Sequence, residues 1–123
     1  MAYLYPYHCL HSYVHNGRIG VLVEIGCESD FAIYAEPFHA LANDVALQIA
    51  GMAPGDVDDL LAQSFIKDNS RTVGDVLRDA SVQFRERLAV TRFIRWSVDD
   101  RESPDRSTPP RAPAVIMSFK RIG

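Results

Sequence analysis

The sequence lacks the features of several classes of protein. It contains two cysteines, Cys9 and Cys27, in 123 residues, too few for the disulfide framework of a small secreted domain. It has no secretion signal and no apolar run of the about eighteen residues that a membrane helix needs. Its net charge of -3 argues against non-specific binding to nucleic acid. We therefore expect a soluble, cytoplasmic protein that binds neither membranes nor nucleic acid.

Residues for catalysis and metal binding are also scarce. Cys9, His11 and His15 lie in one predicted strand, but Cys9 and His15 are about 20 Å apart at the usual rise of a strand. That separation is too large for one coordination sphere. The sequence has no glycine-flanked nucleophile and no phosphate-binding G-K-[ST] loop. We expect no enzyme activity, no cofactor and no metal site.

The composition is that of a globular protein, with 47% hydrophobic and 24% charged residues, and it changes once along the chain. Residues 1–98 have regular apolar periodicity and are predicted to form one domain. Residues 99–113 contain four of the seven prolines and are predicted to be a flexible linker. The last ten residues, AVIMSFKRIG, form a short apolar tail. This pattern does not distinguish a tail that docks on the core from one that docks on a partner or one that docks on neither.

The dipeptide Asn16-Gly17 lies between two segments of strand character, which predicts a tight hairpin. With these two residues as the loop, His15 pairs with Arg18. The side chains then predicted on the covered face are Leu10, Ser12, Val14, Ile19, Val21, Val23, Ile25 and Cys27. Those predicted on the exposed face include Cys9, His11, Tyr13 and His15. The two cysteines are thus predicted to lie on opposite faces, which excludes a disulfide between them.

Two long amphipathic helices, with a short helix between them, and a final strand follow. The first helix is predicted from Glu36, before a proline, to the end signal Gly51. The second begins at Thr72, with Asp75 in the capping-box position. The final strand covers residues 88–98. Two helices on one face of a three-stranded antiparallel sheet would bury all these apolar stripes, so the predicted class is α+β.

The segment CESDFAIYAEPF, directly after the second predicted strand, concentrates large apolar residues at a strand-to-helix turn. One interpretation is that most of them cover the sheet. The other is that Asp30 and Phe31, in an exposed turn, present an aromatic side chain to a partner protein. The residues alone leave both interpretations open.

Several segments together resemble the core of the translation elongation factor Ts family. They are GRIGVLVEIGCESDF, FHALANDVALQIAGM, LLAQSFIKDNSRTVGDVLRDA and VTRFIRW, in this order between residues 12 and 98. The resemblance implies a three-stranded antiparallel sheet packed on helices, as the periodicity does. It also implies binding to the GTPase elongation factor Tu, promotion of GDP release from it, and association as a homodimer.

The resemblance also implies a set of partner-binding residues. In the family, a Thr-Asp-Phe-Val turn inserts its phenylalanine between helices of the GTPase and so releases GDP. The corresponding residues here are Ser29, Asp30, Phe31 and Ala32, with Phe31 as the wedge and Asp30 as its polar companion. The family histidine before the hairpin turn corresponds to His15.

Three departures from the family bear on activity. We expect no helical module before the core, and the family's longer excursion before Leu60 is reduced to MAPGDVDD. Where the family usually has Ile-Gly-Glu-Asn, this chain has Phe84-Arg85-Glu86-Arg87, so Arg85 is expected to alter the binding surface. The alternative hypothesis is a dimeric interaction module of the same fold, with a different protein partner and no exchange activity.

Overall fold

The computed structural model describes residues 5–30 and 32–102. Within them, strands and α-helices follow in the order β1 (Tyr7–His15), β2 (Ile19–Cys27), α1 (Glu36–Met52), α2 (Val57–Ala62), β3 (Ser64–Phe65), β4 (Asp68–Thr72), α3 (Val73–Phe84) and β5 (Ala89–Ser97). Short 3-10 helices, Ala32–Tyr34 and Val98–Glu102, follow β2 and β5. The α+β fold is confirmed, with an antiparallel sheet of order β1-β2-β5.

The β1–β2 hairpin differs from its prediction by one residue. Asn16 and Gly17 form the turn, with φ angles of 50° and 68°, and the Arg18 N–H donates to the His15 carbonyl at 2.9 Å. However, His15 pairs with Ile19 rather than with Arg18. Arg18 is therefore an extra residue, and this shift moves every β1 side chain to the opposite face of the sheet.

The predicted faces of β1 are accordingly wrong. Leu10 and Val14 are 57% and 65% exposed on the face away from the helices, where Ser12 also lies. The residues predicted to be exposed instead share a face with the buried side chains of β2. Three of them are partly buried beside α1, namely Cys9, His11 and Tyr13.

Cys9 and Cys27 also lie on the same face, not on opposite faces. Cys9 pairs with Ile25, two residues from Cys27, and both thiols are free. Burial raises the pKa of each thiol, because the thiolate is poorly solvated there. Both cysteines therefore act as small packing residues.

A β-bulge interrupts β5. The ladder between β2 and β5 shifts by one residue at Thr91, which leaves one extra residue on β5. Val90, before the bulge, is buried on the helix side, whereas Ile94 and Trp96, after it, are 48% and 72% exposed on the other face. The simple alternation predicted for this strand therefore fails at the bulge.

The centre of the core comes from α1. The helix begins at Glu36 with a proline in its first turn, as predicted, and its buried side chains include Phe38 and Ile49. It ends at Ala53 in the left-handed conformation, with φ 46°, and not at Gly51, which lies within the last turn. The predicted cap of α3 is confirmed, because Thr72 and Asp75 form a reciprocal capping box.

The sequence did not predict the β3–β4 hairpin, which a buried glutamine joins to α1. Gln48 is 1% exposed, and its amide nitrogen donates to the carbonyl of Ser64 at 3.0 Å and to Oε1 of Gln63 at 3.1 Å. Its amide oxygen accepts from the backbone N–H of Ile66 at 2.9 Å. Phe65, between these partners, is buried. Residues 63–66, within the matched segment LLAQSFIKDNSRTVGDVLRDA, thus join this hairpin to α1.

The end of β5 continues into a segment predicted as linker. Residues 99–102 belong to a 3-10 helix, and Asp99 forms an ion pair with Arg18 at 2.9 Å. The remainder of the predicted linker and the apolar tail, residues 103–123, lie outside the described residues. The boundary between core and tail therefore stays a prediction.

Candidate functional site

The predicted contact residues begin directly after β2, in a segment that we call the acidic turn (residues 28–32). Asp30 is exposed, Ser29 is partly buried, and Ala32 is 1% exposed at the start of a 3-10 helix. Phe31, predicted as the inserted side chain, lies outside the described residues. The two sides of the turn are thus packed on the core, and Asp30 is presented to solvent.

A carboxylate from the loop after α3 binds the acidic turn. Oε1 of Glu86 accepts hydrogen bonds from the backbone N–H groups of Glu28 and Ser29 at 2.8 and 2.9 Å. Its Oε2 accepts from the hydroxyl of Ser29 at 2.7 Å. Two backbone donors and one side-chain donor of the turn are therefore satisfied by one residue.

A second carboxylate makes the reverse contact. Glu28 accepts from the backbone N–H of Arg87 at 3.1 Å and from its Nε at 2.6 Å. The Arg87 side chain holds the pKa of Glu28 below its ordinary value, because it stabilises the ionised form. Sequence reasoning missed Glu28, Glu86 and Arg87. The glutamate in the Phe84-Arg85-Glu86-Arg87 segment was the available signal.

Arg85, the predicted family departure, lies beside this contact. It is exposed and ends α3 in the left-handed conformation with φ 60°, a position that favours glycine. The glycine that the family has at this position would adopt this left-handed conformation without strain. The prediction that Arg85 alters the binding surface stays untested, but its side chain does project from the loop that holds the acidic turn.

His15 lies at the other end of the hairpin. Its Nδ1 is 2.8 Å from the hydroxyl of Tyr13, and its Nε2 is 3.2 Å from Nδ2 of Asn16. The ring is exposed and borders a cleft of about 300 Å³ between the hairpin and the end of α1. The guanidinium of Arg95 also lines this cleft and donates to the carbonyl of Ala50.

The predicted site residues therefore form two groups that do not converge. Ser29, Asp30, Ala32 and Arg85 lie near one end of β2, and His15 lies near the other. Ser29 is ten positions beyond Ile19, the partner of His15, which corresponds to about 30 Å at the rise of a strand. Helix α1 begins near the acidic turn and ends at the His15 cleft, so it fixes the spacing of the two groups.

The sheet also carries a large apolar surface on the face opposite the helices. We call it the open sheet face, and its members are between 41% and 72% exposed, namely Leu10, Val14, Leu22, Ile94 and Trp96. Glu24 and Arg92 lie on the same face and form an ion pair at 3.1 Å. Contiguous exposed apolar patches larger than a few hundred Å² mark interaction surfaces.

Neither a metal-binding cluster nor a membrane-spanning helix is found in the described part of the chain. Residues 5–30 and 32–102 hold no group of three or more His, Cys, Asp or Glu side chains that could bind a metal ion. No helix in these residues is long and apolar enough to cross a membrane.

Comparison with known proteins identifies the family. A family model described as Elongation factor TS matches residues 3–60. An elongation factor Ts from Leptospira biflexa is 31% identical, over 71% of this chain and 67% of that protein. One from Rubrobacter xylanophilus is 30% identical, over 72% and 69%, and one from Coprothermobacter proteolyticus is 28% identical, over 74% and 70%.

These alignments also show a difference in length. They extend over 133 to 137 positions, more than the 123 residues of this chain, so the relatives contain residues within the matched region that have no counterpart here. The predicted resemblance is nevertheless confirmed over most of the domain. This chain belongs to the elongation factor Ts family and is an elongation factor Ts-like protein of translation.

Proposed function

We propose that this protein binds elongation factor Tu in the cytoplasm and promotes release of GDP, with the acidic turn as the inserted element and Phe31 as its wedge. The observation that supports this most is the fixed backbone of the acidic turn, which corresponds to the Thr-Asp-Phe-Val turn of the family. Its backbone is held by Glu86, and Asp30 is exposed beside Phe31. His15, Ser29, Ala32 and Arg85 belong to the proposed binding surface.

The spacing of the two groups supports a two-point contact. The acidic turn and His15 lie about 30 Å apart along one hairpin, and α1 holds that distance. A partner that contacts both ends binds more tightly than one that contacts either end alone. Because binding is reciprocal, a protein that prefers the nucleotide-free GTPase must weaken GDP binding by the same factor.

The test is stopped-flow release of a fluorescent GDP analogue from elongation factor Tu in millimolar Mg²⁺. We expect acceleration by the wild type, none by Phe31→Ala, and a reduced apparent affinity for His15→Ala. Ile66→Ala is the matched control, because Ile66 is 50% exposed on the β3–β4 hairpin. Acceleration that survives in Phe31→Ala, with the fold intact by circular dichroism, would remove the wedge from the proposal.

We also propose that a second copy of this chain covers the open sheet face, which gives a homodimer. Three strands about 4.8 Å apart and about 30 Å long offer roughly 400 Å² of flat surface per copy, and the faces of two such sheets can pack on one another. Glu24 and Arg92 form an ion pair on this face, so their charges cancel. Two identical faces therefore do not repel one another through them.

Sedimentation equilibrium tests the homodimer. We expect a dimer for the wild type and for Val82→Glu, and a monomer for Trp96→Glu. Val82 and Trp96 are 74% and 72% exposed, so the two charges are introduced at equally accessible positions. A monomeric wild type that dimerises when residues 103–123 are removed would instead assign the open sheet face to the chain's own tail.

The alternative, an interaction module without exchange activity, rests on the same open sheet face. It predicts a dimer with no effect on GDP release and no binding to elongation factor Tu by isothermal titration. Binding to elongation factor Tu without faster GDP release would mean that the residues that differ from the family at Arg85 or in the acidic turn remove exchange but not binding. Absence of binding, with dimer and fold intact, would favour the alternative.

A further inference from the structure

The contact between the acidic turn and the loop after α3 consists of five hydrogen bonds. Three converge on the carboxylate of Glu86, from Glu28 N–H, Ser29 N–H and Ser29 Oγ. The other two converge on the carboxylate of Glu28, from the backbone and the guanidinium of Arg87. Each segment thus supplies one carboxylate, which accepts hydrogen bonds from donors of the other segment.

Glu86 itself is fixed by the end of α3. The N–H of Arg85 donates to the carbonyl of Val82 at 3.2 Å, and the N–H of Glu86 donates to the carbonyl of Ser81 at 3.1 Å. These are the two hydrogen bonds of a Schellman motif. The Ser81 hydroxyl also accepts from the N–H of Leu88 at 3.2 Å. The carboxylate therefore projects from a backbone that is held on both sides.

Of the two contacts, the one made by Glu86 is better suited to order the turn. Its acceptor atoms bind backbone N–H groups, so they restrain the main chain of residues 28 and 29 directly. Hydrogen bonds to a charged group are stronger than neutral ones. The guanidinium of Arg87 is 59% exposed, so solvent screens its ion pair with Glu28.

We infer that Glu86 is a positioning residue for exchange, since its carboxylate holds the backbone from which Asp30 and Phe31 extend. This inference rests on the proposed function of the acidic turn. An inserted element that is ordered before binding loses less conformational entropy in the complex. Removing the carboxylate leaves the bound state unchanged and makes the free turn more mobile, so it weakens affinity rather than the rate within the complex.

The test compares Glu86→Ala with Glu86→Gln. Glutamine keeps one oxygen for the two backbone N–H groups, and its amide nitrogen can donate to Ser29 Oγ, which also accepts. We expect Glu86→Ala to raise the half-saturating concentration for GDP release about tenfold, which corresponds to ~1.4 kcal/mol, with an unchanged maximal rate. Glu86→Gln should restore most of the affinity. Asp44→Ala, which breaks the ion pair with Lys67, should change neither value.

Other results would overturn the inference. Equal losses in Glu86→Ala and Glu86→Gln, with unchanged hydrogen exchange at Glu28 and Ser29, would mean that Glu86 contacts the partner through its charge. A loss of thermal stability in Glu86→Ala with unchanged GDP release would mean that its role is structural alone.

Hydrogen exchange measured without the partner separates this inference from the proposed function. In Glu86→Ala, the amides of Glu28 and Ser29 should exchange at least about tenfold faster than in the wild type, while that of Val23 in β2 keeps its rate. Unchanged protection at residues 28 and 29 would refute the positioning role, whatever the wild type does to elongation factor Tu. Faster exchange together with an inactive wild type would refute only the proposed function.

Discussion

Arg95 donates from both Nε and Nη2 to the carbonyl oxygen of Ala50, at 3.2 and 3.1 Å. Ala50 lies in the last turn of α1, where carbonyl groups have no partner within the helix and the helix dipole favours a cation. The side chain that closes the His15 cleft therefore also caps the helix that forms the opposite wall of the cleft.

We expect Arg95→Met to lower the free energy of unfolding by about 1–2 kcal/mol, since a charged hydrogen bond to a partly buried carbonyl is lost. Arg78→Met is the matched control. Its guanidinium is 68% exposed and paired with Asp75, so its loss should cost less than about 0.5 kcal/mol. Urea unfolding at one fixed protein concentration measures both, and equal costs would contradict the capping role.

Gln48→Met should be more costly, at about 2–4 kcal/mol. Methionine fills a similar volume but leaves the Ile66 N–H and the Ser64 carbonyl without their partner, and each buried unsatisfied group costs about 1–3 kcal/mol. The same urea experiment on Gln63→Met, which removes only one of the contacts of Gln48, should give a smaller loss. A loss below about 1 kcal/mol in Gln48→Met would show that solvent reaches these groups.

Arg85→Gly should stabilise the protein by about 0.5–1 kcal/mol. Arg85 has a φ of 60°, and a side chain in the left-handed region costs about 1–2 kcal/mol, which the greater freedom of glycine in the unfolded chain partly offsets. Arg78→Gly, inside the same helix, should instead destabilise by about 1 kcal/mol. Thermal unfolding of the two variants should therefore shift in opposite directions.

Glu28 gives the stability a dependence on pH. Its pKa is below the ordinary value of 4.5 in the folded protein, because Arg87 binds the carboxylate. A depressed pKa stabilises the fold above the unfolded-state pKa, and this contribution is lost as the pH falls through the folded-state value. The wild type should therefore exceed Glu28→Gln in stability at neutral pH and converge with it in acid. A constant difference across that range would exclude the ion pair as its cause.

The sequence predicted the parts of the fold that local patterns encode. The proline before the first turn of α1 and the Thr72–Asp75 box define helix starts through backbone groups within four residues. It did not predict features that depend on distant partners. The bulge at Thr91 lets Val90 point into the core while the residues after it stay paired with β2. Neither contact can be read from the alternation of the strand itself.

The candidate site follows the same division. The acidic turn could be located because Asp30 and Phe31 lie together in a short motif. Its support could not, because Glu86 is separated by more than fifty positions from the N–H groups that it binds. The His15 side of the molecule was placed correctly at the hairpin end but on the wrong face, because a single extra residue, Arg18, reverses the alternation of β1.

That extra residue makes the surface chemistry of β1 sensitive to chain length in a way that few substitutions could match. Removing Arg18 would rotate the strand's alternation by half a turn relative to β2. His11 and Tyr13 would move to the open sheet face, and Leu10 and Val14 would turn towards α1. Deletion of one residue would therefore exchange the two faces of β1, the one that packs on α1 and the one that belongs to the open sheet face.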